Sequence, residues 1–373
     1  MTTALRIAGF PGRYIQGPGA LQALGAQLRE MTANKILLVT DDVVDAVVGV
    51  AVRDELVTQG FGVQRLRFAG ECTRAAIAGL ITAAREPPRQ RCIVVGLGGG
   101  KALDTAKGVA KGLGLPVVIV PTIASNDAPT SRLIVLYDTD HRLLGVELLE
   151  RNPALVLVDT ALIAQAPVRF LRAGLGDALS KKFEAAACAA AGGTNFHGGR
   201  PPWAATALAE RGYELIATRG EDGLAAAAAG HPSDALEAII EAAVLCSGIG
   251  FESGGLSIAH ALVRGFSAVP SLAAALHGEA VAFGTVVQML LEPRPPQEVE
   301  GHLRLLQRLG MRVSLESLGH DPRLPPDLDT ITAATMQAPY LANFNRPLAA
   351  APLKEAIREA DRRLRAIEGR NPY

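Results

Sequence analysis

Ile93-Val94-Val95-Gly96-Leu97-Gly98-Gly99-Gly100-Lys101-Ala102-Leu103-Asp104-Thr105-Ala106-Lys107 is the stretch on which the fold turns. An apolar, β-branched run of the kind that forms a buried strand meets a glycine-rich turn, and a helical segment follows. Glycines let a backbone come close to a phosphate. The helix that opens after them offers free N–H groups and the positive end of its dipole. The loop is not a Walker A loop, which has four residues before Gly-Lys and then Ser or Thr; here three intervene and Ala102 follows the lysine. Nor is it a strict G-x-G-x-x-G. Two readings stand: a turn that only closes strand onto helix, and a phosphate or pyrophosphate loop. Four glycines and a lysine exceed what the turn requires.

Outward from this loop the same grammar repeats. Ile36-Leu37-Leu38-Val39-Thr40, Val117-Val118-Ile119-Val120 and Leu155-Val156-Leu157-Val158 are short continuous apolar runs separated by helical segments. That pattern predicts a parallel sheet covered on both faces. Leu133 to Tyr137 and Leu143 to Leu148 flank Asp138-Thr139-Asp140-His141, which reads as a hairpin. After Ala166-Pro167 the strand signals stop. Leu236, Ile239, Ile240, Ala243 and Val244 form one helical stripe, with Asp234 and Glu237 spaced as a capping box. Glu279 to Leu291 and Pro352 to Ile367 read as further helices. The expectation is an α/β domain over residues 1–165 and an all-helical domain over 166–373, with a ligand cleft between them.

Composition narrows the function. Lys plus Arg and Asp plus Glu both number 37, so the formal charge is zero, which argues against a general grip on nucleic acid or anionic lipid. Apolar residues at 49 % and charged residues at 20 % are those of an ordinary globular chain. With aromatics at only 4 %, close helix packing on small side chains is expected. Cys72, Cys92, Cys188 and Cys246 fit no thiolate metal site and no disulfide framework, so a reducing, cytoplasmic setting is the expectation. Met1 to Arg6 holds no signal-peptide core, and no apolar stretch is long enough to span a membrane.

The chemistry-bearing residues are few. Asp41 closes the first strand, where an acid accepts hydrogen bonds from an adenosine ribose and repels a 2′-phosphate; a helix N-cap is the alternative. Of seven histidines, His141, His231, His302 and His320 read as solvated and His197 as a loop residue. His260 and His277 are embedded in apolar helical sequence. Asp177, in Gly174-Leu175-Gly176-Asp177-Ala178-Leu179, reads as a carboxylate at the start of another apolar helix. Each has a plain alternative, a core histidine or an N-cap. Together, two imidazoles and a carboxylate make a three-ligand zinc site with an open position.

Five ordered motifs carry a family likeness: Gly98-Gly99-Gly100-Lys101-x-x-Asp104-Thr105-Ala106-Lys107, Pro121 to Ser131, Gly176-Asp177-Ala178-Leu179, Gly250 to Gly255, and His277-Gly278-Glu279-x-Val281-Ala282-Phe283-Gly284. In them the sequence resembles the glycerol dehydrogenase family, within the iron-containing alcohol dehydrogenase superfamily. The likeness runs from about Ala8 to about residue 310. It implies a Rossmann-like α/β domain beside a helical domain in a homo-oligomer, acting with NAD on a small-molecule alcohol or ketone. Asp177, His260 and His277 correspond to the family's zinc ligands, and Gly98, Gly99, Gly100 and Lys101, with Asp104, to its pyrophosphate loop. Asp41 corresponds to the adenosine-side acid. Thr122, Ser125, Ser131, Leu133 and Tyr137 fall where the family holds the nicotinamide half, and Asp127 where it contacts the polyol.

Three departures bear on the substrate. Lys181 stands where iron-using members carry a histidine, which favours zinc. Ser271 to Leu276 lacks the Tyr and His that glycerol dehydrogenases tend to carry, implying a wider, less polar pocket. Lys181 and Lys182 replace neutral residues, and Lys181 is either a solvent-facing side chain or an anion contact. Secondary-alcohol oxidation is therefore the leading expectation. The alternatives are a 2-oxo acid reductase or hydroxycarboxylate dehydrogenase with Lys181 holding the carboxylate, and a dehydroquinate-synthase-like cyclase. Asp177 in place of that cyclase's Glu counts against the last.

Overall fold

The computed structural model describes residues 5–84, 91–139 and 143–369. Its strands are β1 (Tyr14–Gly17), β2 (Lys35–Thr40), β3 (Gly62–Arg67), β4 (Cys92–Gly98), β5 (Val117–Pro121), β6 (Leu133–Tyr137), β7 (Leu143–Leu148) and β8 (Leu155–Asp159). Six form one parallel sheet in the order β1-β8-β5-β4-β2-β3. The apolar runs make its centre. Ile36 and Leu38 of β2 face one core with Val95 and Leu97, while Leu37 and Val39 face the other with Val94 and Ile119, so the sheet is buried on both sides. The expected α/β class is what the chain adopts. β1 and β3 were not legible. Both are edge strands, half-buried and partly polar, without the continuous apolar run. β6 and β7 pair antiparallel as the expected hairpin, outside the main sheet; residues 140–142 of its turn lie outside the described residues.

The helices that build the site are α1 (Arg74–Ala83), α2 (Gly100–Leu113), α3 (Val168–Ala190), α4 (Trp203–Ala228), α5 (Asp234–Glu241), α6 (Ser247–Glu252), α7 (Ile258–Ser267), α8 (His277–Leu291), α9 (Pro296–Arg308) and α10 (Ala350–Glu368). No named strand follows Asp159 among the described residues. None of the described helices is long and apolar enough to cross a membrane.

Small residues set the close contacts, as the composition predicted. A Cβ on Gly278 would lie 1.8 Å from the Ala173 carbonyl oxygen, so α8 begins against the backbone of α3. One on Gly284 would lie 2.4 Å from the Ala259 carbonyl, which seats α8 on α7. One on Gly174 would lie 2.0 Å from the Ala124 carbonyl, bringing the loop after β5 onto α3.

Two local readings need correction. α5 is capped by Ser233, whose Oγ accepts from the Leu236 N–H; Glu237 instead takes the Gln16 amide and the Thr160 hydroxyl. Asp177 is not at a helix start: α3 begins at Val168, and Asp177 sits more than two turns inside it.

Candidate metal and cofactor site

Asp177 is fully buried on α3. Because α8 abuts α3 at Gly278 and α7 at Gly284, His277 and His260 are carried to the same carboxylate. Asp177 Oδ1 lies 3.3 Å from His260 Nε2 and 3.7 Å from His277 Nε2, and one donor atom from each of the three lies within 4.8 Å of the others. Asp177 Oδ2 is buried without a hydrogen-bond partner.

Glu184, two turns after Asp177 on the same face of α3, fixes the His260 ring. Its Oε2 lies 2.6 Å from His260 Nδ1, and its Oε1 accepts from the N–H groups of Ser257 and His260. This leaves Nε2 directed at Asp177, the orienting arrangement metal-bound histidines use. The sequence reading missed Glu184. Its signal was present: Asp177, Lys181 and Glu184 stand at i, i+4 and i+7, which puts three charged residues on one stripe of the helix.

The electrostatics follow from burial among charges. Burial works against the Asp177 carboxylate, but Lys181 and the two histidines outweigh it and hold its pKa well below the usual range. Burial pushes His277 down to about 4, so it is a neutral imidazole at neutral pH. Burial, then repulsion from Asp177, moves Asp127 up to about 6 in spite of Lys181.

Lys181 is wholly buried. Its Nζ lies 2.5 Å from Asp177 Oδ1, 3.0 Å from Asp127 Oδ2 and 3.1 Å from His260 Nε2. This overturns the solvent-facing reading. It also removes the carboxylate clamp, because the ammonium is committed to two carboxylates and does not line the adjoining cleft. Two further expectations fail on burial. His302 is buried between Phe183 and Tyr213, and His320 is buried with Nε2 2.9 Å from the Leu324 carbonyl. His231 is exposed, and His141 lies outside the described residues.

That cleft, about 550 Å³, joins the two halves of the chain. It is lined by Gly99, Gly100, Lys101 and Asp104, by Ser125, Asp127, Ser131, Leu133 and Tyr137, and by His260, His277 and Ala273 to Ala275. Asp177, Gly98, Thr122 and Asp41 stand outside its lining. Thr122 N–H donates to the Gly98 carbonyl, tying the end of β5 to the loop. Gly100 packs against Asn126, since a Cβ there would lie 2.8 Å from its side-chain amide.

Asp41 takes up the N-cap alternative, and Lys101, Asp104 and Lys107 have partners the sequence did not reveal. Asp41 Oδ1 accepts from the Val44 N–H, so it caps the following helix, while Oδ2 lies 3.8 Å from where a Gly98 Cβ would be. Lys101 pairs with Glu71 at 2.6 Å. Asp104 takes the buried Lys107 ammonium on one oxygen and the Val135 N–H on the other, and Lys107 also donates to the Ala128 and Leu133 carbonyls. The pair thereby fixes the segment from Ala128 to Val135, four of whose residues line the cleft.

A family model described as iron-containing alcohol dehydrogenase matches residues 11–160. The chain is 40 % identical to a glycerol dehydrogenase of Citrobacter freundii over 331 residues, covering 89 % of this chain and 90 % of that one. It is 36 % identical to a glycolaldehyde reductase of Halobacterium salinarum over 361 residues, covering 96 % and 98 %. The crystal structure of glycerol dehydrogenase from Schizosaccharomyces pombe superposes with a TM-score of 0.92 at 30 % identity, covering all of this chain and 94 % of that one.

Proposed function

Since the chain belongs to the glycerol dehydrogenase family of the iron-containing alcohol dehydrogenases, we propose that it oxidises a secondary alcohol of a small polyol or diol with NAD, reversibly, at a zinc ion held by Asp177, His260 and His277. The observation that carries this reading is the single cleft in which the glycine loop, Asp127 and the two histidines meet. Lys181, paired with Asp127 and Asp177, does not offer the carboxylate clamp on which the 2-oxo acid reductase alternative rested, and that alternative is not favoured.

The donor set fits a zinc ion: one carboxylate with an unpartnered oxygen, one neutral imidazole, and one imidazole turned by Glu184. Bound there, a zinc ion would supply Lewis-acid activation of a substrate hydroxyl, and NAD would be the hydride acceptor. The rest is done by the chain. The N–H groups of Gly99 and Gly100 at the start of α2 receive the cofactor's phosphates, and Asp41 meets the adenosine ribose. Ser125, Ser131, Leu133 and Tyr137 position the nicotinamide half, with Thr122 behind them. Lys107 and Asp104 hold that wall in place. Asp127 accepts a hydrogen bond from a hydroxyl next to the reacting one. Phe196, Phe251 and Tyr340, which also line the cleft, exclude water.

We place the division between a cofactor half and a metal half near residue 165. The four buried, unpaired cysteines support a cytoplasmic setting, and the family resemblance supports a homo-oligomer. Ala273 to Ala275, small side chains in the cleft lining, suit a substrate longer than glycerol. NADH formation and consumption across glycerol, longer vicinal diols, glycolaldehyde and a four-carbon 2-oxo acid, with metal content measured on the same sample, tests the assignment. The expected outcome is activity on the diols, with a longer diol exceeding glycerol in kcat/KM. Activity confined to the oxo acid overturns it.

A further inference from the structure

Lys181 contacts Asp127, Asp177 and His260 at once, and the chemistry proposed above does not use it. Its ammonium is 2.5 Å from the same Asp177 oxygen that faces both imidazoles, and 3.1 Å from the His260 nitrogen that Glu184 leaves free. A lysine ammonium has three donors and no lone pair, so it cannot be a metal ligand. A divalent ion held by Asp177 and His260 would therefore have to settle against this ammonium, which already occupies Asp177 Oδ1 and the free nitrogen of His260.

The side chain has little freedom to withdraw. It is fully buried, and a Cβ on Gly250 of α6 would lie 3.2 Å from Lys181 Cβ, so α6 packs closely on the base of the lysine. The Phe251 ring centroid stands 5.8 Å from Nζ. Both Glu184 oxygens are already engaged by His260 and Ser257. Among these neighbours, Asp127 is the carboxylate left to hold the ammonium once Asp177 is taken.

On the reading of Asp177, His260 and His277 as a metal centre, we propose that Lys181 is a resident competitor of the metal. It bridges Asp177 and His260 while the ion is absent, and the ion must displace it from Asp177 to bind. Two like charges a few ångströms apart in a buried site repel strongly. The consequence is a centre that keeps its shape without metal and holds metal more weakly than the same three ligands beside a neutral side chain.

The test titrates zinc ion alone into chelator-stripped protein, with a chromogenic chelator as competitor, for the native chain, Lys181→Met and Lys181→Gln. Each is repeated on a His277→Ala background. We expect zinc to bind at least tenfold more tightly in both neutral variants, with binding lost on the His277→Ala background. The metal-free neutral variants should melt below the native chain and gain more in Tm from saturating zinc. Binding only in the variants also supports the proposal. Equal or weaker binding in Met and Gln, still dependent on His277, overturns the competitor role and leaves the metal centre standing. No zinc binding in any form overturns both.

Discussion

His277 is the most accessible of the three proposed metal ligands, the first residue of α8 with its side chain about one-third exposed. Replacing it with alanine should remove bound zinc and lower turnover at least ~10²-fold. NADH binding, followed by fluorescence, should survive, because the glycine loop follows β4 in the sheet-bearing half of the chain and His277 begins α8. Asp41 offers a second single-residue test. One carboxylate oxygen caps a helix and the other lies beside the glycine loop, so Asp41→Asn keeps a capping acceptor while removing the charge. The preference of kcat/KM for NAD over NADP should shrink in this variant with little change in Tm. Equal efficiency of the native chain with both cofactors would show that Asp41 does not meet the ribose. At this scale the histidines were legible because an imidazole in an apolar helix is conspicuous. Lys181 was not, because it adjoins Lys182 and two adjacent lysines read as a solvated face. Only the i, i+4, i+7 spacing with Asp177 and Glu184 separates the two.

Between elements, α9 meets α3 and α4 through His302, whose ring lies 5.5 Å from Phe183 edge-on and 5.9 Å from Tyr213 in a stack. Burial, with the cations Lys182 and Arg294 adding to it, depresses the His302 pKa to about 3. The unfolded chain therefore takes up this proton first, near pH 6.5, and stability falls as pH drops from there towards 3. Between pH 7 and pH 5 the loss from this group is about 2 kcal/mol. His302→Phe keeps a ring in the stack and abolishes the titration. Denaturant unfolding at the two pH values should show the native chain losing stability that the variant retains. Within the main sheet, strands were legible in proportion to their burial. The four central strands carry unbroken apolar runs, whereas β1 and β3 at the edges do not. The start of α3 was misread because Gly174 and Gly176, which resemble a helix boundary, are there for close packing against Ala124 and Gly278.

Across the whole molecule, one continuous apolar cluster runs from Leu37 and Val39 of the sheet through Phe183 and Phe283 to Leu364 of α10. It is not divided at residue 165, although the strands end near there. Calorimetry of the metal-free protein should accordingly give one cooperative transition, and two resolved transitions would contradict a shared core. The same continuity limits how these enzymes can be recombined. A chimera that joins the first 165 residues of this chain to the helices of a distant relative would mate two surfaces shaped for other partners, exposing apolar side chains or leaving voids along the seam. Successful exchanges would keep the core-facing side of α3 with its own sheet. The natural unit of inheritance is then the glycine-set crossing of α3 with α8 and the loop after β5, which straddles the position where the sequence alone would invite a cut.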